Sequence, residues 1–151
     1  MTVRKRQRLP AFDYARAGAY FVTVCLLPRL PLFGAVNGDA VALTPFGEIV
    51  ATDLRNLPNR KPGAAVDLFV VMPDHAHAIF VLDGTIALST VVGGLKAGTA
   101  AAINRRRATP GARLWQRGFF DHVIRDEHDF DRVREYIATN PTRWTMKHRS
   151  P

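Results

Sequence analysis

Two histidines, His75 and His77, flank a single alanine in the apolar run VDLFVVMPDHAHAIFVL. In an extended strand successive side chains alternate faces, so both imidazoles project from one wall while Ala76 points away. Two neutral nitrogen ligands then stand side by side, at a spacing suited to one divalent ion. The segment EYIATNP, 59 positions after His77, carries Tyr136 and Asn140, four residues apart and on one edge of a helix. An amide oxygen from Asn140 beside two nitrogens suits Mg²⁺ or Mn²⁺ better than a closed zinc site. Structural zinc is also disfavoured because Cys25 is the only cysteine. A metal held by His75, His77 and Asn140 could polarise a phosphoryl oxygen. Tyr136 could then attack phosphorus and break and rejoin a phosphodiester through a covalent intermediate. Such an exchange conserves bond energy and needs no nucleotide cofactor, and the chain carries no GxxxxGK[ST] phosphate loop. No carboxylate-rich cluster of the kind that two-metal nucleases use is evident either.

Each feature also has a plainer reading. The histidines fit a metal-free pair in a core or on a surface, and Tyr136 fits an aromatic bordering the apolar stripe of a helix. Asp74 adjoins His75, but as its neighbour in the chain it is not expected to partner that imidazole. His122 and His128 carry no signal of their own.

The elements that must position these residues follow from periodicity and punctuation. Residues 1–10 read as an irregular basic arm. A strand covers 20–27 and ends at Pro28, and Asn37-Gly38 marks a hairpin turn between LFGAV and DAVAL. Thr44 followed by Pro45 predicts an N-cap and the first residue of a helix running towards Leu57. VDLFVVM and HAHAIFVL read as two strands broken at Pro73-Asp74, and the second is apolar on both faces, as a central, covered strand would be. Leu88, Val91, Val92, Leu95, Ala102 and Ile103 predict a helix from about Leu88 to Arg107. LWQRGFFDHVIR reads as a strand. Asp126 can cap a helix that buries Phe130, Val133 and Ile137 and stops at Asn140-Pro141, with 142–151 left as a short basic tail. The order of strands and helices predicts one α+β domain over 1–151.

Charge points to the partner. Lys and Arg number 21 against 13 Asp and Glu, a net charge of +8, which favours nucleic acid or another anionic surface. Arg105, Arg106 and Arg107 close the long helix. Trp115, Phe119 and Phe120 lie among Arg113, Arg117 and Arg125, a mixture able to stack unpaired bases and hold phosphates. The same aromatics also fit a core-facing strand. No run approaches the roughly 18 apolar residues of a membrane span, and the lone Cys25 in a strand-like run fits a buried thiol in a reducing cytoplasm. The expectation is a soluble, cytoplasmic, nucleoid-associated protein.

Four stretches in order resemble one family over nearly the whole chain: RLPAFDYARAGAYFVTV, LTPFGEIV, VVMPDHAHAIFVL and LWQRGFFDHVIRDEHDFDRVREYIATNP. The third resembles the HUH signature of single-tyrosine transposases, with Ala76 smaller than the usual middle residue. The fourth is similar to the carboxy-terminal signature of the REP-associated tyrosine transposases. The resemblance implies a ferredoxin-like α+β sandwich with the HUH motif on a central strand of an antiparallel sheet. It also implies His75, His77 and Asn140 as metal ligands and Tyr136 as nucleophile. The substrate would be single-stranded DNA beside small hairpins of the repetitive extragenic palindrome type, cut to a 5′-phosphotyrosine and a free 3′-hydroxyl by a monomer or a homodimer. The competing reading is a hairpin-binding regulatory module without turnover.

Overall fold

The computed structural model describes residues 17–148 and the backbone of 4–5. Most of the expected basic arm, 1–10, therefore lies outside the described residues. The strands are β1 (Arg4–Lys5), β2 (Gly18–Cys25), β3 (Gly34–Asn37), β4 (Ala40–Leu43), β5 (Ala64–Val71), β6 (His75–Leu82) and β7 (Phe120–Ile124). The helices are α1 (Pro45–Arg55), α2 (Leu57–Arg60), α3 (Leu88–Arg107), α4 (Glu127–Ala138) and α5 (Asn140–Lys147).

One antiparallel sheet has the order β1-β7-β2-β6-β5, and β3 and β4 form a separate hairpin. Taken without β1, the order is fourth, first, third, second in a β-α-β-β-α-β chain, the ferredoxin-like arrangement. The strand carrying His75 and His77 is internal, between β2 and β5.

Alternation along β6 divides the core in two. Ala76, Ala78, Phe80 and Leu82 face α1 and α3 and join the larger apolar cluster with Tyr20, Val22, Val50, Leu54, Val91 and Leu95. Ile79 faces the other way and packs with Phe21 against Val133 and Ile137 of α4. His75 and His77 share that second face by the two-residue period. A one-residue slip of register would drive both imidazoles into the larger core, a slip that burial of Phe80 and Leu82 opposes.

Local chemistry accounts for the boundaries. Thr44 caps α1 by accepting from the Gly47 amide at 3.2 Å, and Asp126 caps α4 by accepting from the Asp129 amide at 2.8 Å. The hairpin turn centres on Gly38-Asp39, one residue later than the dipeptide suggested, with a φ of +68° at Gly38 that glycine tolerates.

Three expectations need correction. Only Phe120–Ile124 of LWQRGFFDHVIR is a strand. Leu114 and Trp115 instead fold inward from irregular backbone, and Trp115, 5% exposed, donates its indole N–H to Thr99 Oγ1 at 3.1 Å. Trp115 is therefore a core residue and offers no surface for a nucleobase. Thirdly, Asn140-Pro141 does not end the helical region, because α5 begins there. Proline lacks a backbone donor and is accommodated in the first turn of a helix, so it breaks α4 and starts α5. Much of the expected tail is thus helix, and α5 is tied to the hairpin by the Thr145 hydroxyl donating to the Gly38 carbonyl at 2.6 Å.

His122, silent in the sequence, lies with Nε2 at 2.8 Å from Asp129 Oδ2, and Arg132 donates to the same buried carboxylate at 3.2 Å. Burial alone would raise the Asp129 pKa, but the hydrogen bonds from His122 and Arg132 and the charge of His122 outweigh it and hold the carboxyl below its ordinary value. A depressed folded-state pKa stabilises fully above the ordinary carboxylate range and is lost as pH falls through the folded value. Asp129→Asn is expected to cost about 1–3 kcal/mol at neutral pH and to flatten the acid limb of stability against pH, as denaturant unfolding at stepped pH will read. An acid limb as steep as that of the unaltered protein would refute this role.

Candidate active site

The adjacent pairing of β2 and β6 sets Thr23 opposite His77 and Cys25 opposite His75. Thr23 Oγ1 lies 2.7 Å from His77 Nδ1, and His75 Nδ1 lies 2.7 Å from Asp74 Oδ1. With Nδ1–H donating in each case, both rings keep an Nε2 lone pair free. The rings stand 4.7 Å apart between centroids and 74° out of parallel. Burial, followed by the nearby charges of His75 and Arg29, lowers the His77 pKa well below its ordinary value. His77 is therefore neutral at physiological pH, the state in which imidazole is a ligand.

Asp74 is a partner that the sequence argument discounted. The chain bends between β5 and β6, so Asp74 is not bound by strand alternation and turns its carboxylate onto the neighbouring ring. Burial works to raise the Asp74 pKa, yet hydrogen bonds from His75 and from Arg29, at 3.1 Å, bring it down to about 2.

The helix α4 delivers Tyr136. Val133 and Ile137 are buried against Phe21 and Ile79, and Arg134 anchors the helix to β5 through two hydrogen bonds to Asp67 at 2.9 and 2.8 Å. With that face fixed, the Tyr136 ring meets His77 at 5.5 Å and Phe21 edge-on at 5.9 Å. Asn140, expected on the same helix as Tyr136, is instead the first residue of α5; 8% exposed, it donates through Nδ2 to the Tyr136 carbonyl at 3.5 Å, which leaves Oδ1 over. Residues 59 or more positions apart in the chain thereby converge on one cavity of about 400 Å³.

His75, His77, Tyr136 and Asn140 all line this cavity. The donors it collects are two imidazoles and one amide. Among the described residues no group of three or more His, Cys, Asp or Glu side chains forms a metal-sized cluster. Nitrogen, nitrogen and amide oxygen nevertheless fit a hard divalent ion that keeps water or a phosphate oxygen in its remaining positions.

The arginines expected to follow DNA are elsewhere. Arg105, Arg106 and Arg107 are exposed at the end of α3, whose apolar side packs on the opposite face of the sheet. Arg117 and Arg125 are exposed but outside the cavity lining. The cations that do line it are Arg29, Arg143 and Lys147. The Arg143 guanidinium lies 5.1 Å above the Tyr136 ring centroid. These residues were missed because Arg29 follows a strand in an unpatterned loop and the others sat in a segment read as a tail. The available signal was Arg143 and Lys147, four residues apart and on the same helical face as Asn140 and Trp144.

A family model described as "Transposase IS200 like" matches residues 55–140, more than half of the chain. The chain belongs to the IS200-like transposase family. Its matched segment contains His75, His77, Tyr136 and Asn140. The chain is 29% identical over 163 aligned positions to an uncharacterised protein of Haemophilus influenzae, covering 93% of this chain and 89% of that one. Its fold is similar to that of a REP-associated tyrosine transposase bound to a REP hairpin, at a TM-score of 0.67 and 22% identity, over 91% of this chain and 74% of the other. It is also similar to a provisionally assigned transposase from Deinococcus radiodurans, at a TM-score of 0.56 and 16% identity, over 87% and 95% of the two chains. No helix among the described residues is long and apolar enough to cross a membrane.

Thr23 lines the cavity and holds the His77 ring through its hydroxyl. Thr23→Val keeps the shape but leaves a buried ring nitrogen without its 2.7 Å partner. The expected loss is about 1–3 kcal/mol in thermal unfolding; an unchanged melting temperature would show that the hydrogen bond does not hold the ring.

Proposed function

We propose that this chain is a metal-dependent enzyme that nicks and rejoins single-stranded DNA at hairpins, with Tyr136 as nucleophile and a 5′-phosphotyrosine as intermediate. The observation that carries the reading is the contact between the Tyr136 and His77 rings, 5.5 Å between centroids, in a cavity lined by Arg29, Arg143 and Lys147. Membership of a transposase family agrees with it, as does a net charge of +8.

His75, His77 and Asn140 are the residues that would hold the ion. A divalent ion there supplies polarisation of a phosphoryl oxygen and partial neutralisation of its charge. The chain's own groups do the rest. Arg143 and Lys147 hold the negative backbone against the cavity, and Arg143 also sits over the attacking ring. The Tyr136 hydroxyl attacks phosphorus and releases its proton to solvent. The bond from phosphorus to the 3′ oxygen breaks, and that oxygen takes up a proton to become a free 3′-hydroxyl. The new bond joins the phenol oxygen to the 5′-phosphate. Attack of a 3′-hydroxyl on the phosphotyrosine reverses the sequence and joins strands.

The substrate class is a hairpin of the repetitive extragenic palindrome type. Support comes from the ordered sequence resemblance and from the solved REP-associated transposase, which shares the fold and was captured on such a hairpin.

The deciding experiment incubates the protein with hairpin oligonucleotides and Mn²⁺ or Mg²⁺ and looks for a denaturation-resistant protein–DNA adduct. Tyr136→Phe is expected to abolish the adduct with hairpin affinity unchanged, because only a hydroxyl is lost. An adduct that survives would move the nucleophile elsewhere. His77→Ala is expected to abolish metal-dependent cleavage; unaltered activity would reject the assigned ligands. Hairpin binding without any adduct, with either ion, would instead identify a regulatory module that lacks turnover.

A further inference from the structure

The helix α5 turns one whole side into the cavity. Asn140, Arg143, Trp144, Lys147 and His148 all line it, at the i, i+3, i+4, i+7, i+8 spacing of a single helical face. On that face the Trp144 and His148 rings are stacked, 4.1 Å between centroids and 13° from parallel. Trp144 lies 6.2 Å from the His75 ring on the inner side, while His148 is exposed on the outer side. Two cations flank the indole, Arg143 directly before it in the chain and Lys147 three residues after it. Of this face only Asn140 is buried; Arg143, Lys147 and His148 are exposed and Trp144 is half-buried. A half-buried tryptophan that is not packed into the core, stacked on an exposed ring and bracketed by cations, is suited to a flat apolar ligand that carries negative charge.

We propose that the Trp144–His148 pair is a stacking platform for one unpaired nucleobase next to the phosphate attacked by Tyr136, with Arg143 and Lys147 on the phosphates either side of that base. The inference rests on the nicking reading for the identity of the phosphate, but the platform itself needs only single-stranded DNA. Stacking on an aromatic face accepts any base, so the platform sets where the strand enters and how many nucleotides must be unpaired, not which bases they are. Its position beside His75 orients the strand across the histidine pair towards Tyr136. A duplex, with its bases already stacked inside, has no free base to offer the platform. The geometry therefore selects a hairpin with a single-stranded extension over a blunt one.

The test uses the full chain in EDTA, so that nothing is cut, with a blunt hairpin and with the same hairpin bearing a short single-stranded extension. The extended hairpin is expected to quench tryptophan emission, and the blunt one is not. Trp115 is buried, so the signal reports on Trp144. Trp144→Ala should weaken binding of the extended hairpin about tenfold or more and leave the blunt hairpin unaffected, and Trp144→Phe should restore most of the loss. Abasic substitutions along the extension, made against the unaltered protein, should find one position that costs as much. At that position Trp144→Ala should add nothing further. Absence of quenching, or equal affinity of unaltered protein for intact and abasic extensions at every position, would overturn the platform even if α5 failed to fold in the variant. Quenching without an adduct when Mn²⁺ is restored would keep the platform and reject the nicking reading. A normal adduct with no effect of Trp144→Ala or of any abasic site would do the reverse.

Discussion

The register of β2 against β6 is the constraint on which the site depends. Eight consecutive residue pairs, from Gly18 opposite Leu82 to Cys25 opposite His75, lock the two strands together. Because side chains alternate, that pairing commits His75 and His77 to the α4 side and Phe80 and Leu82 to the larger core in one step. It also brings Thr23 to the one nitrogen of His77 that must be occupied for the other to remain open. The polar pair is tolerated within a sheet because each ring nitrogen facing the protein has a partner, and because His77 is held in its neutral form.

The second organising feature is the break between α4 and α5. An uninterrupted helix through 127–147 would carry Arg143, Trp144 and Lys147 onward along the α4 axis. Pro141 interrupts the hydrogen-bond ladder, and α5 swings onto the β3–β4 hairpin, where Thr145 meets the Gly38 carbonyl. One junction therefore produces two neighbouring faces: Tyr136 from the first helix against the histidines, and a basic, aromatic face from the second closing the same cavity. Asn140 stands at the hinge, buried, and belongs to both.

Positive charge is divided between the two sides of the sheet. Arg29, Arg143 and Lys147 gather at the histidine face, while Arg105, Arg106 and Arg107 project from the end of α3 on the far side. Among the described residues, the first group lines the cavity beside Tyr136 and the second does not. Asp74 binds Arg29 through one carboxylate oxygen and receives His75 on the same atom, so electrostatic and positional functions are coupled at that end of the cavity.

By itself the sequence determined whatever depends on neighbours within a few residues. The His75-Ala76-His77 alternation, the Thr44 and Asp126 caps, the place of Tyr136 on the helix that Asp126 caps, and the strand and helix order of the ferredoxin-like fold could all be read from spacing, capping chemistry or motif. Local pattern could not decide which distant groups meet. Trp115 and Trp144 both sit among arginines in the sequence. Only packing sends the first into the core against Thr99 and leaves the second beside His75. Asp74 looked misdirected because strand alternation was extended through a bend where it does not hold. Asn140-Pro141 reads equally as a stop and as a restart, since proline suits either side of a helix boundary. Contacts between residues far apart in the chain are settled by how the whole set of apolar faces can be buried at once, and that is a property of the tertiary structure alone.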